Sequence, residues 1–102
     1  MPQPRKLRTY EWVTYAPDLE VEEMLALAKS NGITVVSTTP TGQMTEYYTD
    51  DDYGDAPEME IVLHGQLPQF RKFYYADQDR RGDSAQSVES FDARELGISP
   101  VR

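Results

Sequence analysis

The chain has no cysteine, one histidine, His64, and one tryptophan, Trp12, among its 102 residues. Without cysteine there is no disulfide scaffold and no thiol nucleophile, and a zinc centre would depend on one imidazole plus carboxylates, which argues against a structural zinc site. Positive charge is scarce too. From Thr9 to Phe70 twelve carboxylates face one cation, Lys29, a formal charge of −11. The other cations flank this stretch, with Arg5, Lys6 and Arg8 before it and Arg71, Lys72, Arg80, Arg81, Arg94 and Arg102 after it. A surface of that sign repels nucleic acid and acidic membranes and attracts basic proteins or cations. A glycine-rich phosphate loop, a nucleophile elbow and a helix-borne metal motif are all missing, because the six glycines are scattered among turns. No apolar run reaches the length of a bilayer span and no signal-peptide core follows the basic residues 1–6, so the expected compartment is the cytoplasm.

What is present suffices for one small domain. Hydrophobic residues make up 38% of the chain, enough to fold, the charged fraction of 27% is close to the globular average, and the net charge of −8 favours solubility. Residues 7–15 alternate, with Val13 and Tyr15 on one face and Tyr10 and Trp12 on the other, which predicts a strand covered on both sides. Pro17 and Asp18 open a helix in which Val21, Met24, Leu25 and Ala28 form one stripe, widened by Leu27; Asp18 is the expected N-cap, and Asn31 with Gly32 the stop. Residues 33–38 and 43–49 read as strands of a hairpin turned at Pro40, Thr41 and Gly42. Met59, Ile61 and Leu63 alternate with Glu60, Val62 and His64 in a further strand. A second helix follows, with Pro68 in its first turn and Leu67, Phe70, Phe73 and Tyr74 on one face, ending near Asp77.

The expected fold is therefore α+β, a small antiparallel or mixed sheet of about four strands with two helices on one face, in the order β-α-β-β-β-α. A right-handed crossover makes the first two strands parallel. Residues 1–77 form the domain. Residues 78–102 change to Gly, Ser, Asp and Arg and are expected to be a flexible tail with a short docking strand at 87–91.

Several features could carry chemistry. Asp50, Asp51, Asp52, Asp55 and Glu58 supply hard oxygen ligands for Ca²⁺, but an EF-hand loop begun at Asp50 puts Gly54 at a ligand position, Asp55 at the turn glycine and Ile61 at the bidentate Glu. No metal and no cofactor is expected. His64 is the one imidazole available to acid-base catalysis, and its alternation with Met59, Ile61 and Leu63 places it on the opposite face or under a helix. With no catalytic constellation in view, the chain reads as a non-enzyme. Arg81-Gly82-Asp83-Ser84 is read as a chance match to an integrin tetrapeptide, and the terminal basic clusters as internal partners for the acids rather than a phosphate patch.

The tyrosines remain. Tyr47, Tyr48 and Tyr53 stand among seven acids between Glu46 and Glu60, and alternation sends Tyr47 and Tyr48 to opposite faces, leaving one of them exposed with Tyr53. Tyrosine rings supply rigid apolar area at low entropic cost while acids steer a basic partner. The candidate partner-binding residues are Glu46, Tyr47, Tyr48, Asp50, Asp51, Asp52, Tyr53, Asp55 and Glu58, on a protein-binding module that engages a basic protein surface and neither nucleic acid nor membrane directly. Were that surface one that binds nucleic acid, the chain would act as a nucleic-acid mimic. In size, acidity and absence of motifs the chain resembles the small accessory and inhibitor proteins of bacteriophages; the resemblance is one of composition and implies a host protein as target, in the host cytoplasm. Two other readings stand beside it: a ferredoxin-like or ACT-like small-ligand or regulatory domain that dimerises, and a structural subunit of a larger assembly, such as a phage particle.

Overall fold

The computed structural model describes residues 8–48, 51–80 and 90–101. Arg5, Lys6, Asp50, the tetrapeptide from Arg81 to Ser84 and most of the expected docking strand at 87–91 lie outside them. The elements are β1 (Tyr10–Pro17), α1 (Asp18–Ser30), β2 (Thr34–Tyr48), β3 (Tyr53–Gly65), α2 (Leu67–Arg80) and β4 (Ser99–Pro100).

Local chemistry sets the helix ends. Pro17, extended at φ −60° and ψ 144°, takes the N-cap position of α1 with no side-chain capping bond, so Asp18 is not the cap; it sits with Glu20 in the first turn, where a carboxylate complements the helix dipole. The helix stops in a Schellman arrangement: the Ile33 amide donates to the Ala28 carbonyl (3.0 Å) and the Gly32 amide to that of Lys29 (3.0 Å). Gly32 has φ +78°, a dihedral that favours glycine, and a Cβ there would come within 2.7 Å of Gln69 Nε2, the movable end of a side chain on α2. At the start of α2 the Gln69 side chain reaches back to accept the Gln66 amide (2.8 Å), one half of a capping box.

The sheet order is β2-β3-β1-β4 and every pairing is antiparallel. β1 and β2, both antiparallel to β3, run parallel to each other on either side of it, as the crossover requires. The order β-α-β-β-α-β with this pairing is the ferredoxin-like arrangement. It departs from the sequence expectation at two places. Pro40, Thr41 and Gly42 do not turn the chain. Pairing resumes beyond them, from Pro40 opposite Met59 to Met44 opposite Pro57, so Thr41, Gly42 and Gln43 bulge against the single Glu58, with Gly42 at φ +86°. The two expected strands are thus one edge strand, and the hairpin partner is β3. At the other end, α2 continues past Asp77 to Arg80, and residues 90–101 return to the body instead of trailing away: Ile98 is buried, and β4 pairs with β1, Ser99 opposite Glu11.

The register places Trp12 opposite Leu63 and Ala16 opposite Met59, so one face of β1 and β3 packs under both helices. One core cluster joins Trp12, Ala16, Ile61 and Leu63 of the sheet to Met24 and Ala28 of α1, Phe70 and Phe73 of α2, and Ile98. Trp12 meets Phe70 and Phe73 edge to face, with centroids 5.6 and 5.7 Å away, a favoured aromatic geometry. β1 is not covered on both sides: Val13 is half-buried and Tyr15 exposed on the face that carries no helix. Among the described residues no helix is long and apolar enough to cross a membrane.

Candidate functional site: an acidic arm with paired tyrosines

β1 pairs with β3 only as far as Pro17 opposite Glu58. Beyond that point β2 and β3 continue alone, from Met44 opposite Pro57 to Tyr48 opposite Tyr53, as a two-stranded arm. At about 3.3 Å per residue a strand of β2's length spans about 50 Å, and the molecule measures 58 Å along its longest axis against 32 and 23 Å across. A two-stranded ribbon is marginal in water without something to pack on. Residues 44–57 include no lysine, arginine or histidine.

The register sorts the arm's side chains. On one face Glu46 lies opposite Asp55 and Tyr48 opposite Tyr53; on the other Tyr47 lies opposite Gly54 and Thr45 opposite Ala56. Tyr48 and Tyr53 are 74% and 77% exposed, whereas Tyr47 is half-buried. The sequence expectation that alternation would leave one of the first two exposed with Tyr53 therefore resolves to Tyr48. Tyr47 lies across Gly54: a Cβ there would stand 3.3 Å from the Tyr47 hydroxyl and 3.4 Å from its Cε1, so the ring covers backbone that a side chain would displace. Gly54 is a part of the arm that sequence reading missed, because its partner is fixed by the bulge at Thr41–Gln43.

Each hydroxyl of the first two tyrosines finds an acid. Tyr48 donates to Glu46 Oε2 (2.9 Å) and Tyr47 to Asp52 Oδ2 (3.3 Å), while Asp52 Oδ1 accepts the Tyr53 amide (2.8 Å). The negative charge of Asp52 raises the Tyr47 pKa above the usual phenol value, and the hydrogen bond to Glu46 followed by its charge raises that of Tyr48. Both phenols therefore stay neutral donors. A folded-state pKa above the unfolded one holds its proton more tightly, so this contribution is complete below the ordinary tyrosine range and is lost as pH rises through the raised value. Tyrosinate absorbance during alkaline titration is expected to show Tyr47 ionising late, and Asp52→Asn is expected to move it back toward the ordinary value; no movement would mean that Asp52 does not set it.

The remaining candidates separate. Asp51, Asp52 and Asp55 are exposed around the tip, whereas Glu58 sits half-buried at the arm's base and accepts the Thr41 hydroxyl (3.0 Å). Glu58 is thus part of the bulge rather than of the tip. Among the described residues no group of three or more histidines, aspartates and glutamates is placed to hold a metal ion. His64 lies on the helix-free face, its Nε2 2.9 Å from Glu11 Oε2. Of the basic cluster, Arg80 is held between the helices, donating to Glu20 (3.0 Å), Glu23 (3.1 Å) and Asp77 (2.8 Å). Burial opposes its charge, but the hydrogen bonds to Glu20 and Asp77 outweigh it and raise the pKa further.

No family model and no curated protein matches the chain. Among solved structures the chain is similar to 30S ribosomal protein S6 from Thermotoga maritima, with 17% identity and a TM-score of 0.37 over 79% of this chain and 99% of that one. Strand order and register make the fold ferredoxin-like.

Proposed function

We propose that the chain is a non-enzymatic protein-binding module whose acidic arm engages a basic surface on another protein. The observation that carries the reading is the arm's tip: Tyr48 and Tyr53 stand opposite each other, both more than 70% exposed, beside the opposed carboxylates of Glu46 and Asp55. Opposed like charges weaken a strand pair, and two rings left mostly in water contribute to the fold no more than a cross-strand pair does, less than about 1 kcal/mol. Both features become favourable when a cationic surface arrives: the carboxylates speed encounter and set register, and the rings bury in contact with guanidinium or ammonium groups. Where the basic surface is one that ordinarily holds nucleic acid, the arm acts as its competitor.

Affinity capture from the source organism's lysate at low and high salt tests this. A basic protein retained at low salt and released at high salt is expected. Asp51→Lys, Asp52→Lys and Asp55→Lys together are expected to slow its association by about tenfold or more, while Tyr48→Ala with Tyr53→Ala accelerates dissociation, each ring contributing about 2 kcal/mol. Retention of the same partner by the charge-reversed chain in both conditions would remove the reading.

A further inference from the structure

Among the described residues the sheet has two outer edges of very different kind, and the stretch of β1 from Trp12 to Pro17 has no outer partner either, because β4 pairs only with Tyr10 and Glu11. One belongs to β4, two residues long. The other belongs to β2, which is 15 residues long and among the described residues pairs only with β3. Natural edges are commonly blunted by charged side chains, lysine above all. β2 has almost none. Residues 30–45 are sixteen consecutive positions without a charged side chain in a chain that is 27% charged, and Glu46 is the only charge in β2. The segment from Thr34 to Thr39 consists of β-branched residues and one serine, with Val36 50% exposed at a one-residue bulge between Val35 and Ser37.

We infer that this edge pairs with the same edge of a second copy, antiparallel about a two-fold axis, so that two four-stranded sheets become one of eight. The occupant follows from charge. A chain of net −8 is repelled by its own copies wherever carboxylates meet. The helix-free sheet face carries Glu11 and Glu60 and would bring them against their counterparts, and the arm would do so more strongly. The β2 edge from Thr34 to Pro40 brings no charge to the contact. Two-fold symmetry then settles the arms: in an antiparallel pair the C-terminal halves of the two β2 strands point away from each other, so the acidic arms leave at opposite ends of the dimer. An isologous contact of this kind closes on itself. Val36 at the bulge and Pro40, which lacks an N–H, limit the ladder to a short run, and the dimer is a weak and reversible one.

Sedimentation velocity of the full chain from low to high micromolar concentration is expected to show a monomer-dimer equilibrium that strengthens with added salt, as repulsion between the copies is screened. Hydrogen exchange at those concentrations is expected to show protection that grows with concentration in residues 34–40 but not in residues 53–57. The pair Val36→Lys and Thr39→Lys is expected to weaken the dimer by about tenfold or more, with circular dichroism confirming an unchanged fold. The arm variant carrying lysine at positions 51, 52 and 55 is expected to dimerise at least as well as the parent, which separates this contact from partner binding. A parent chain that stays monomeric throughout, species that grow beyond a dimer, or concentration-dependent protection elsewhere than β2 would each overturn the inference.

Discussion

A chain ended after Asp77 is expected to lose its cooperative fold, although the composition of residues 78–102 reads as a dispensable tail. Two losses act together. The first is Arg80, the last residue of α2, which donates to Glu20 and Glu23 on α1 and to Asp77 on its own helix. Asp77 is 7% exposed, but the Arg80 and Glu20 side chains are about a fifth exposed and that of Glu23 mostly so, and losing charge-assisted hydrogen bonds of this kind costs about 1.5–3 kcal/mol. The second is residues 90–101. Their Ile98 belongs to the core cluster, and Phe91, Ala93 and Leu96 pack against it. Stripping a buried aliphatic side chain costs about 2–5 kcal/mol. The sum reaches the lower part of the whole stability of about 5–15 kcal/mol available to a small domain. A thermal melt followed by circular dichroism decides the matter: the truncated chain is expected to show no sigmoidal transition, and a melt like that of the full chain would show that the returning segment is ornamental.

That segment was legible in part. Asp92 accepts the amides of Arg94 (3.0 Å) and Glu95 (3.4 Å), and the Ile98 amide donates to the Ala93 carbonyl (2.9 Å) across Gly97, at φ +76°. This is one helical turn with an N-terminal cap and a glycine stop, the same pair of signals that bounds longer helices. With Phe91, Ala93, Leu96 and Ile98 its only apolar residues, the turn is too short to show periodicity, and the polar composition of its surroundings prevails in a sequence reading. The hairpin error has a related cause. Pro-Thr-Gly satisfies turn chemistry and bulge chemistry alike, since both need a positive φ at glycine. What separates them is whether β2 finds a partner on the far side, and that partner, β3, lies beyond the acidic loop.

The two helices and most of the core, Trp12, Met24, Ala28, Ile61, Leu63, Phe70 and Phe73, follow from periodicity, which is local, and the parallel relation of β1 and β2 from the crossover between them. The candidate site was legible as composition but not as geometry. Tyrosines and acids between Glu46 and Asp55 are plain in the sequence; that Tyr48 faces Tyr53, that Glu46 faces Asp55 and that Tyr47 covers Gly54 depend on the register downstream of a three-residue bulge. A shift of one residue there would send every side chain of one strand to the opposite face.

Phe70→Ala is expected to destabilise the domain by about 4 kcal/mol and to lower its Tm by about 15 °C or more. Phe70 is fully buried, edge to face with Trp12, and its ring edge lies 3.3 Å from where a Gly65 Cβ would stand, at the junction of β3 and α2. Its removal leaves a cavity walled by a sheet on one side and helices on the other, which cannot collapse without breaking register. Phe70→Leu, which keeps most of the volume, is expected to cost less than half as much. The informative contrast is with the other aromatic side chains of similar size. Tyr53→Ala removes a ring that is 77% exposed and is expected to change stability by less than about 1 kcal/mol, the scale of a cross-strand pair. Chemical denaturation of the three variants checks both statements. A small loss at Phe70 would mean that α2 does not close the core, whereas a large loss at Tyr53 would mean that the arm's rings hold the fold together, leaving no free aromatic surface for a partner to bury.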